Sequence, residues 1–275
     1  MNISKQYSIL LLLIMFVFNM QAQNGEVLIK AERVFEKSCL REGIRAGFLA
    51  NVDSNGIAFT GRGPVDAKKF WASLPAFEGV FSWSPAYAEI SISGDWGYTT
   101  GNYEHRAKAL EDTADESGQY TTVWHKTANG EWKYLIDIGN GHPHAILDKK
   151  STIITIDKYT SGNMDPGGVL PVQEQQFILA FEKNISGAYR EYMSSKYILN
   201  LTGYGPVTST DSAAGLINKI PSALKYHPAG AKISPQKDMF SIYGTFDQDD
   251  RKGSYLRIWR HENNGWKIAL EVIKN

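Results

Sequence analysis

Two stretches of this chain are versions of one another. GQYTTVWHKTANGEWKYLIDI runs from Gly118 to Ile138, and GSYLRIWRHENNGWKIALEVI runs from Gly253 to Ile273. Both read Gly-x-Tyr, Trp, an Asn-Gly turn, Trp-Lys, then an acid among aliphatics. Asn-Gly between alternating runs signals a β-hairpin, because these residues tolerate the positive φ that tight turns often require. Other pieces recur in the same order: TGRGPV (Thr60 to Val65) as TGYGPV (Thr202 to Val207), and YTTGNYE (Tyr98 to Glu104) more weakly as IYGTFD (Ile242 to Asp247). A period well over a hundred residues means a duplicated domain, not a solenoid. The Gly-, Pro- and Ser-rich YTSGNMDPGGVLP, Tyr159 to Pro171, marks a linker. The expected division is a first domain over 23–150, a linker over 151–171 and a second domain over 172–275.

The opening MNISKQYSILLLLIMFVFNMQAQ has the pattern of a secretory signal peptide over 1–22: Lys5, an apolar run from Ser8 to Met20, then small Ala22. The mature protein is therefore expected to be exported, periplasmic or secreted. No lipidation cysteine follows, and no later segment is long and apolar enough to span a bilayer. With 29 basic and 29 acidic residues there is no electrostatic case for nucleic acid or an anionic membrane as partner. Cys39 is the only cysteine, which excludes an internal disulfide, and in VFEKSCLREG it reads as a buried, inert thiol.

Each copy opens with helical patterning. Ile178, Phe181, Ile185, Ala188 and Tyr192 recur at three-to-four spacing, as do Val27, Ala31, Val34 and Ser38 less cleanly. A short helix follows each TGxGPV element, itself read as a turn into that helix. Asp66 is the expected N-cap with Ala67, Phe70, Trp71 and Leu74 on one face; Asp211 is its counterpart with Leu216, Ile217 and Ile220 inward. Period-two patterning then takes over. Helices first and a long antiparallel sheet after is an α+β arrangement, helices on one face of the sheet.

The helix order and the strands ending Y-x-x-V-W-H-x-x-x-N-G-x-W-K resemble the nuclear transport factor 2-like superfamily, in particular its SnoaL-like branch. SWSPAYAEISISGDWGYTTGNYE is similar to secreted bacterial members of that branch. The resemblance covers nearly all of the first domain. In the second it rests on the final hairpin, TGYGPV and the helix order. It implies two tandem cones, each a curved sheet wrapped around helices with a cavity at the mouth. Relatives dimerise through the sheet, so it also implies an intramolecular pseudo-dimer or a homodimer. Members include isomerases, dehydratases, hydrolases, binders and assembly modules, so the fold leaves function open.

On the first hairpin strand Tyr120, Thr122 and Trp124 share a side; on the second, Trp132, Tyr134, Ile136 and Ile138 oppose Lys133, Leu135, Asp137 and Gly139. Alternation alone leaves both sides open as the cavity. An acid on a strand ordinarily marks the solvated side. In the similar kinase association domain the cavity lies on the side of Thr122 and Asp137. The resemblance therefore implies a ligand site of Tyr120, Thr122 and Trp124 around Asp137, joined by Tyr98, Thr100 and Asn102. In the second domain the counterparts are Tyr243, Tyr255, Arg257 and Glu271, with Arg257 poised to pair Glu271.

Asp137 faces no such cation and is the expected general base if the cavity is catalytic, with Tyr98 or Tyr120 as hydrogen-bond donor. The full catalytic sets of the superfamily's isomerases and epoxide hydrolases have no residue-by-residue match. Glu89 reads either as a second cavity carboxylate or as an exposed edge residue, and His125 as a surface or interface histidine. His142-Pro143-His144 lacks a third metal ligand, so no metal or cofactor is implied. Three functions stand: an exported binder of a small, partly apolar molecule in the first cavity with a structural second domain; an isomerase, dehydratase or hydrolase; a non-catalytic assembly module.

Overall fold

The computed structural model describes residues 25–75, 79–143, 150–154, 171–221 and 224–275. The segment expected to be a signal peptide, most of the expected linker and His144 lie outside them. The first half runs α1 (Glu26–Glu42), α2 (Ile44–Asn51), β1 (Val52–Thr60), β2 (Gly63–Asp66), α3 (Ala67–Ser73), β3 (Val80–Ile90), β4 (Trp96–Arg106), β5 (Glu116–Lys126), β6 (Trp132–Gly141) and β7 (Thr152–Ile153). The second runs α4 (Val172–Lys183), α5 (Ile185–Tyr192), β8 (Met193–Leu201), α6 (Thr210–Ile217), β9 (Lys225–Ile233), β10 (Met239–Gln248), β11 (Arg251–Glu262) and β12 (Gly265–Lys274). The fold is α+β. The sheets are ordered β2-β1-β6-β5-β4-β3-β7 and β8-β12-β11-β10-β9.

The four long strands of each sheet are antiparallel, as the alternation and the Asn-Gly turns require. Each sheet also carries a parallel-paired strand that the alternation did not reveal: β1, between β2 and β6, runs parallel to β6, and β8, at the edge of its sheet, runs parallel to β12. β7 pairs with β3, so the first sheet reaches into the start of the expected linker. TGRGPV is not simply a turn into a helix. It closes the β1–β2 hairpin, with the Arg62 N–H donating to Thr60 Oγ1 at 3.1 Å and Gly63 at φ 110°.

The helical stripes differ from the expected ones. In α1 the buried residues are Leu28, Ile29, Glu32, Phe35, Ser38 and Cys39, while Val34 is 55% exposed. Glu32 sits inside the apolar stripe; counting only apolar residues turns the inferred face away from it. In the second half the expected continuous stripe is two helices. Asn184 breaks it and caps α5, accepting from the Gly187 N–H at 3.0 Å, and α4 buries Glu174, Phe177 and Phe181. Asp66 caps α3 through the Lys69 N–H at 2.9 Å. In the counterpart Ser209 is the cap and Asp211 lies in the first turn, where its charge suits the helix dipole.

The helices cover one face of each sheet. The other faces meet in one shared apolar layer: Trp96, Tyr98, Val123, Ile136 and Ile138 pack with Ile198, Met239, Leu256, Ile258, Leu270 and Val272. Polar groups cross this boundary in pairs. Arg260 Nη1 meets Glu89 Oε2 at 2.6 Å, and the Tyr98 hydroxyl donates to the same oxygen at 2.8 Å. Asn200 Nδ2 donates to Thr100 and Thr121 Oγ1 at 3.1 and 3.2 Å, and the Ile92 N–H donates to Asp238 Oδ2 at 2.7 Å. Glu89 is thus neither a cavity carboxylate nor an exposed edge residue; it is fully buried between the halves.

Candidate functional site

The helix-facing side of the first sheet carries a cavity of about 320 Å³. Its wall is aromatic: Phe35, Phe48, Trp71, Trp83, Tyr103 and Tyr120 all line it. Asp137 lies in this wall, half-buried, with Thr122 Oγ1 donating to its Oδ2 at 2.9 Å. Among the described residues no hydrogen bond reaches its other oxygen. Burial pushes the Asp137 carboxyl up to about 6, against the Thr122 hydrogen bond and the field of Lys274. Lys274 enters the cavity wall from β12 of the second half. Glu116 is also in the wall but solvent-exposed.

Behind the cavity, Glu32 of α1 is fully buried. It accepts from Trp83 Nε1 at 2.6 Å, from Trp124 Nε1 at 3.1 Å and from the Thr99 hydroxyl. Burial raises it to about 7; the Thr99 hydrogen bond lowers it and the Asp137 charge raises it.

Strand register aligns the copies residue against residue. Thr122 is opposite Asp137 as Arg257 is opposite Glu271. Each pair is followed by a bulge, after which Trp124 faces Tyr134 and Trp259 faces Ile268. The bulge inserts Leu135, so Tyr134 joins Asp137 on the helix side rather than Ile136 on the other, which reverses the expected alternation there. Val52 opposite Tyr134 and Met193 opposite Ile268 extend the correspondence to β1 and β8. Gly56 therefore stands where Tyr197 does, and Phe48 where Tyr189 does. Tyr120 is opposite Gly139, and Tyr255 opposite Ile273.

In the second half the equivalent space is occupied. The Arg257 guanidinium donates to Glu271 Oε1 from Nη2 at 2.5 Å and from Nε at 3.1 Å, and to Glu174 from Nη1. Tyr189 and Tyr197 hydroxyls donate to Glu271 Oε2 at 2.7 and 2.8 Å. Trp259 Nε1 donates to Glu174 at 2.9 Å. Three rings enclose the guanidinium: Phe177, Tyr226 and Tyr255 at 4.1, 4.7 and 5.2 Å from its carbon to their centroids. The first half has Thr122, Phe48, Gly56 and Gly139 where the second has Arg257, Tyr189, Tyr197 and Ile273. Those four differences remove side-chain volume and exchange the Arg257, Tyr189 and Tyr197 donors to the strand acid for the Thr122 hydroxyl. They are why one cone is open and the other closed.

Tyr120, Thr122, Trp124 and Asp137 share the helix side of the first sheet. Thr122 and Trp124 are fully buried behind the cavity wall, and Trp124 serves Glu32. Tyr98, Thr100 and Asn102 do not join them. Register sets Thr99 opposite Thr122, Gly97 opposite Trp124 and Gly101 opposite Tyr120, so the helix side of β4 is Gly97, Thr99, Gly101 and Tyr103. A one-residue offset moves every side chain to the other face, and Tyr98 and Thr100 lie in the layer between the halves. Tyr243 is displaced for the same reason: it packs toward that layer, 6.4 Å from Phe59 between centroids, apart from Tyr255, Arg257 and Glu271. His125 Nε2 meets Asp53 Oδ2 at 2.9 Å on the partly exposed side. Glu32, Glu174 and Lys274 escaped the sequence reading. For the two glutamates a signal existed: an acid in step with Leu28, Phe35 and Cys39, and another in step with Phe177 and Phe181.

No family model matches the chain, and no curated protein matches it. Solved structures similar to it include a nuclear transport factor 2-like protein of unknown function from Shewanella oneidensis, at 14% identity and TM-score 0.32, covering 38% of this chain and 98% of that one. A DUF4783 family protein from Bacteroides ovatus is 17% identical at TM-score 0.32, covering 40% of this chain and 97% of the other. A de novo designed protein with a curved β-sheet is 10% identical at TM-score 0.34, covering 38% and 97%. The first of these bears the name of the superfamily that the sequence resembles.

Proposed function

We propose that this is an exported protein whose first half binds a small, partly apolar molecule in its cavity, the second half being structural. The open aromatic cavity around Asp137 carries this reading. Its volume, about 320 Å³, falls within the range of small-molecule sites, roughly 300–1,000 Å³. The closed second cone supports the division of labour, since its interior is already satisfied by Arg257. Export rests on the N-terminal sequence pattern.

The test is native mass spectrometry of the mature chain purified from an export-competent host without denaturation. A bound small molecule is expected, and Gly139→Ile, which puts the second half's residue into the first cavity, should lose it while keeping the fold. An empty wild-type chain that also takes up no added apolar ring compound would overturn the reading. The same preparation tests export: the N-terminus should begin near Gln23 rather than at Met1.

One observation favours a catalytic variant of this reading. Asp137 sits near 6 beside an apolar cavity, a range that suits a general base. A turnover assay with the wild type and Asp137→Asn separates the two: an enzyme turns substrate over and loses kcat in the variant, whereas a binder shows no turnover in either.

A further inference from the structure

The geometry points to a cation as the polar part of the ligand: an amine, amidine or guanidine on an apolar body, held by Asp137 within the rings of Phe35, Trp83 and Tyr120. This inference rests on the cavity reading above and gives its ligand a chemical class.

The second half supplies the reasoning, because it is the same site with its cation built in. Arg257 there lies between a helix acid, Glu174, and a strand acid, Glu271. Phe177, Tyr226 and Tyr255 surround it. Phe177 follows Glu174 by three residues, as Phe35 follows Glu32. Pro228 is opposite Gly244 as Pro85 is opposite Gly101, which sets Tyr226 against Trp83; Tyr255 is set against Tyr120 by the hairpin register. All three equivalents line the open cavity together with Asp137. Phe35 and Trp83 lie 5.0 Å apart between centroids, and Trp83 and Tyr120 lie 6.4 Å apart. The first half has thus kept the acid and the aromatic cage and has exchanged the arginine for Thr122. A half-buried carboxylate and ring faces both favour a positive partner.

The charged groups in the cavity wall are Asp137 and Glu116 against one lysine, Lys274, with Glu32 buried behind the wall. No ion pair within 4.0 Å joins Lys274 to Asp137 among the described residues, and burial lowers its affinity for a proton. Lys274 opposes a cation in the cavity, so its removal should strengthen binding. An anionic ligand would reverse that sign.

The experiment titrates the mature protein with three probes sharing one ring, benzamidine, benzyl alcohol and benzoate, by calorimetry and saturation-transfer NMR at pH 8 and pH 5. Benzamidine should bind at least about tenfold tighter than benzyl alcohol at pH 8, the gain expected of a desolvated charge-assisted contact. That preference should shrink at pH 5, where Asp137 is protonated. Asp137→Asn should abolish the preference and keep the alcohol. Lys274→Ala should tighten benzamidine, and Thr122→Arg should exclude it. Benzoate binding best, Lys274→Ala weakening benzamidine, or the preference surviving Asp137→Asn would each overturn the inference. Benzyl alcohol binding with no preference for the cation sinks the inference alone; no probe binding at millimolar concentration sinks the cavity reading with it.

Discussion

Replacing Arg257 by methionine, which keeps a long apolar stem and deletes the charge, should be among the most damaging single changes in this protein. Arg257, Glu174 and Glu271 are fully buried. In the variant Glu271 keeps the Tyr189 and Tyr197 hydroxyls and Glu174 keeps Trp259, but neither retains a counter-charge. Breaking a buried pair from one side costs about 3–5 kcal/mol. One guanidinium here serves two carboxylates, so the upper part of that range applies at pH 8. In a protein of this size that is roughly 10–15 °C in Tm.

The pH dependence follows from the direction of the shifts. Burial already raises Glu174, with Arg257 working against it, and losing Arg257 raises it further. A carboxyl raised in the folded state holds a proton that the unfolded chain releases. Stability is then fullest below the unfolded carboxylate range and is lost as pH rises through the raised value. The deficit of Arg257→Met relative to wild type should therefore be smaller at pH 5 than at pH 8. Urea unfolding followed by tryptophan fluorescence at both pH values measures it, and Arg257→Met with Glu271→Gln should recover part of the loss. A cost below about 1 kcal/mol at pH 8, or a deficit that does not narrow at pH 5, would refute the reasoning that the cation closes this cone.

Asp137→Asn should stabilise the protein by up to about 3 kcal/mol at pH 8, since the carboxyl rises from 3.8 to about 6 in the fold; the gain should fade as pH falls below 6, as read by thermal melts across pH 4–8. Arg260→Met removes the positive charge that meets the buried Glu89 between the sheets and should cost about 3 kcal/mol, measurable by urea titration. Cys39 is 4% exposed, and burial first, with the Asp137 and Glu32 charges, raises its thiol well above the usual range. It should be silent to a disulfide reagent in native protein at pH 8 and react fully in urea, as followed by absorbance.

Legibility in the sequence followed the range of the interactions. The Asn-Gly hairpins and the cap at Asp66 depend on residues a few places apart, and the alternation made them readable. Thr122 and Asp137 could be paired because the hairpin turn between them sets their register. Tyr98, Thr100, Asn102 and Tyr243 could not be placed, because the face of β4 or β10 is decided by hydrogen bonding to a strand across a longer connection. The inserted Leu135 changed the parity of β6, and nothing local announces a bulge. Glu32 and Glu174 were hidden by a rule that is right on average, that acids stay out of apolar stripes; here the donors that make the exception possible come from distant strands.

By itself the sequence determined that there are two copies, that each opens with helices and closes with a meander of long antiparallel strands, and that the copies differ at the position of Thr122 and Arg257. These are matters of turn chemistry, periodicity and identity, all carried by neighbouring residues. Only the tertiary structure decided which face is the cavity, that Phe48, Gly56 and Gly139 open it, and that Lys274 of one half enters the site of the other. Those outcomes depend on which surfaces meet when the sheets pack back to back. Contacts between residues more than a hundred positions apart are set by the burial of whole faces, and no local pattern encodes them.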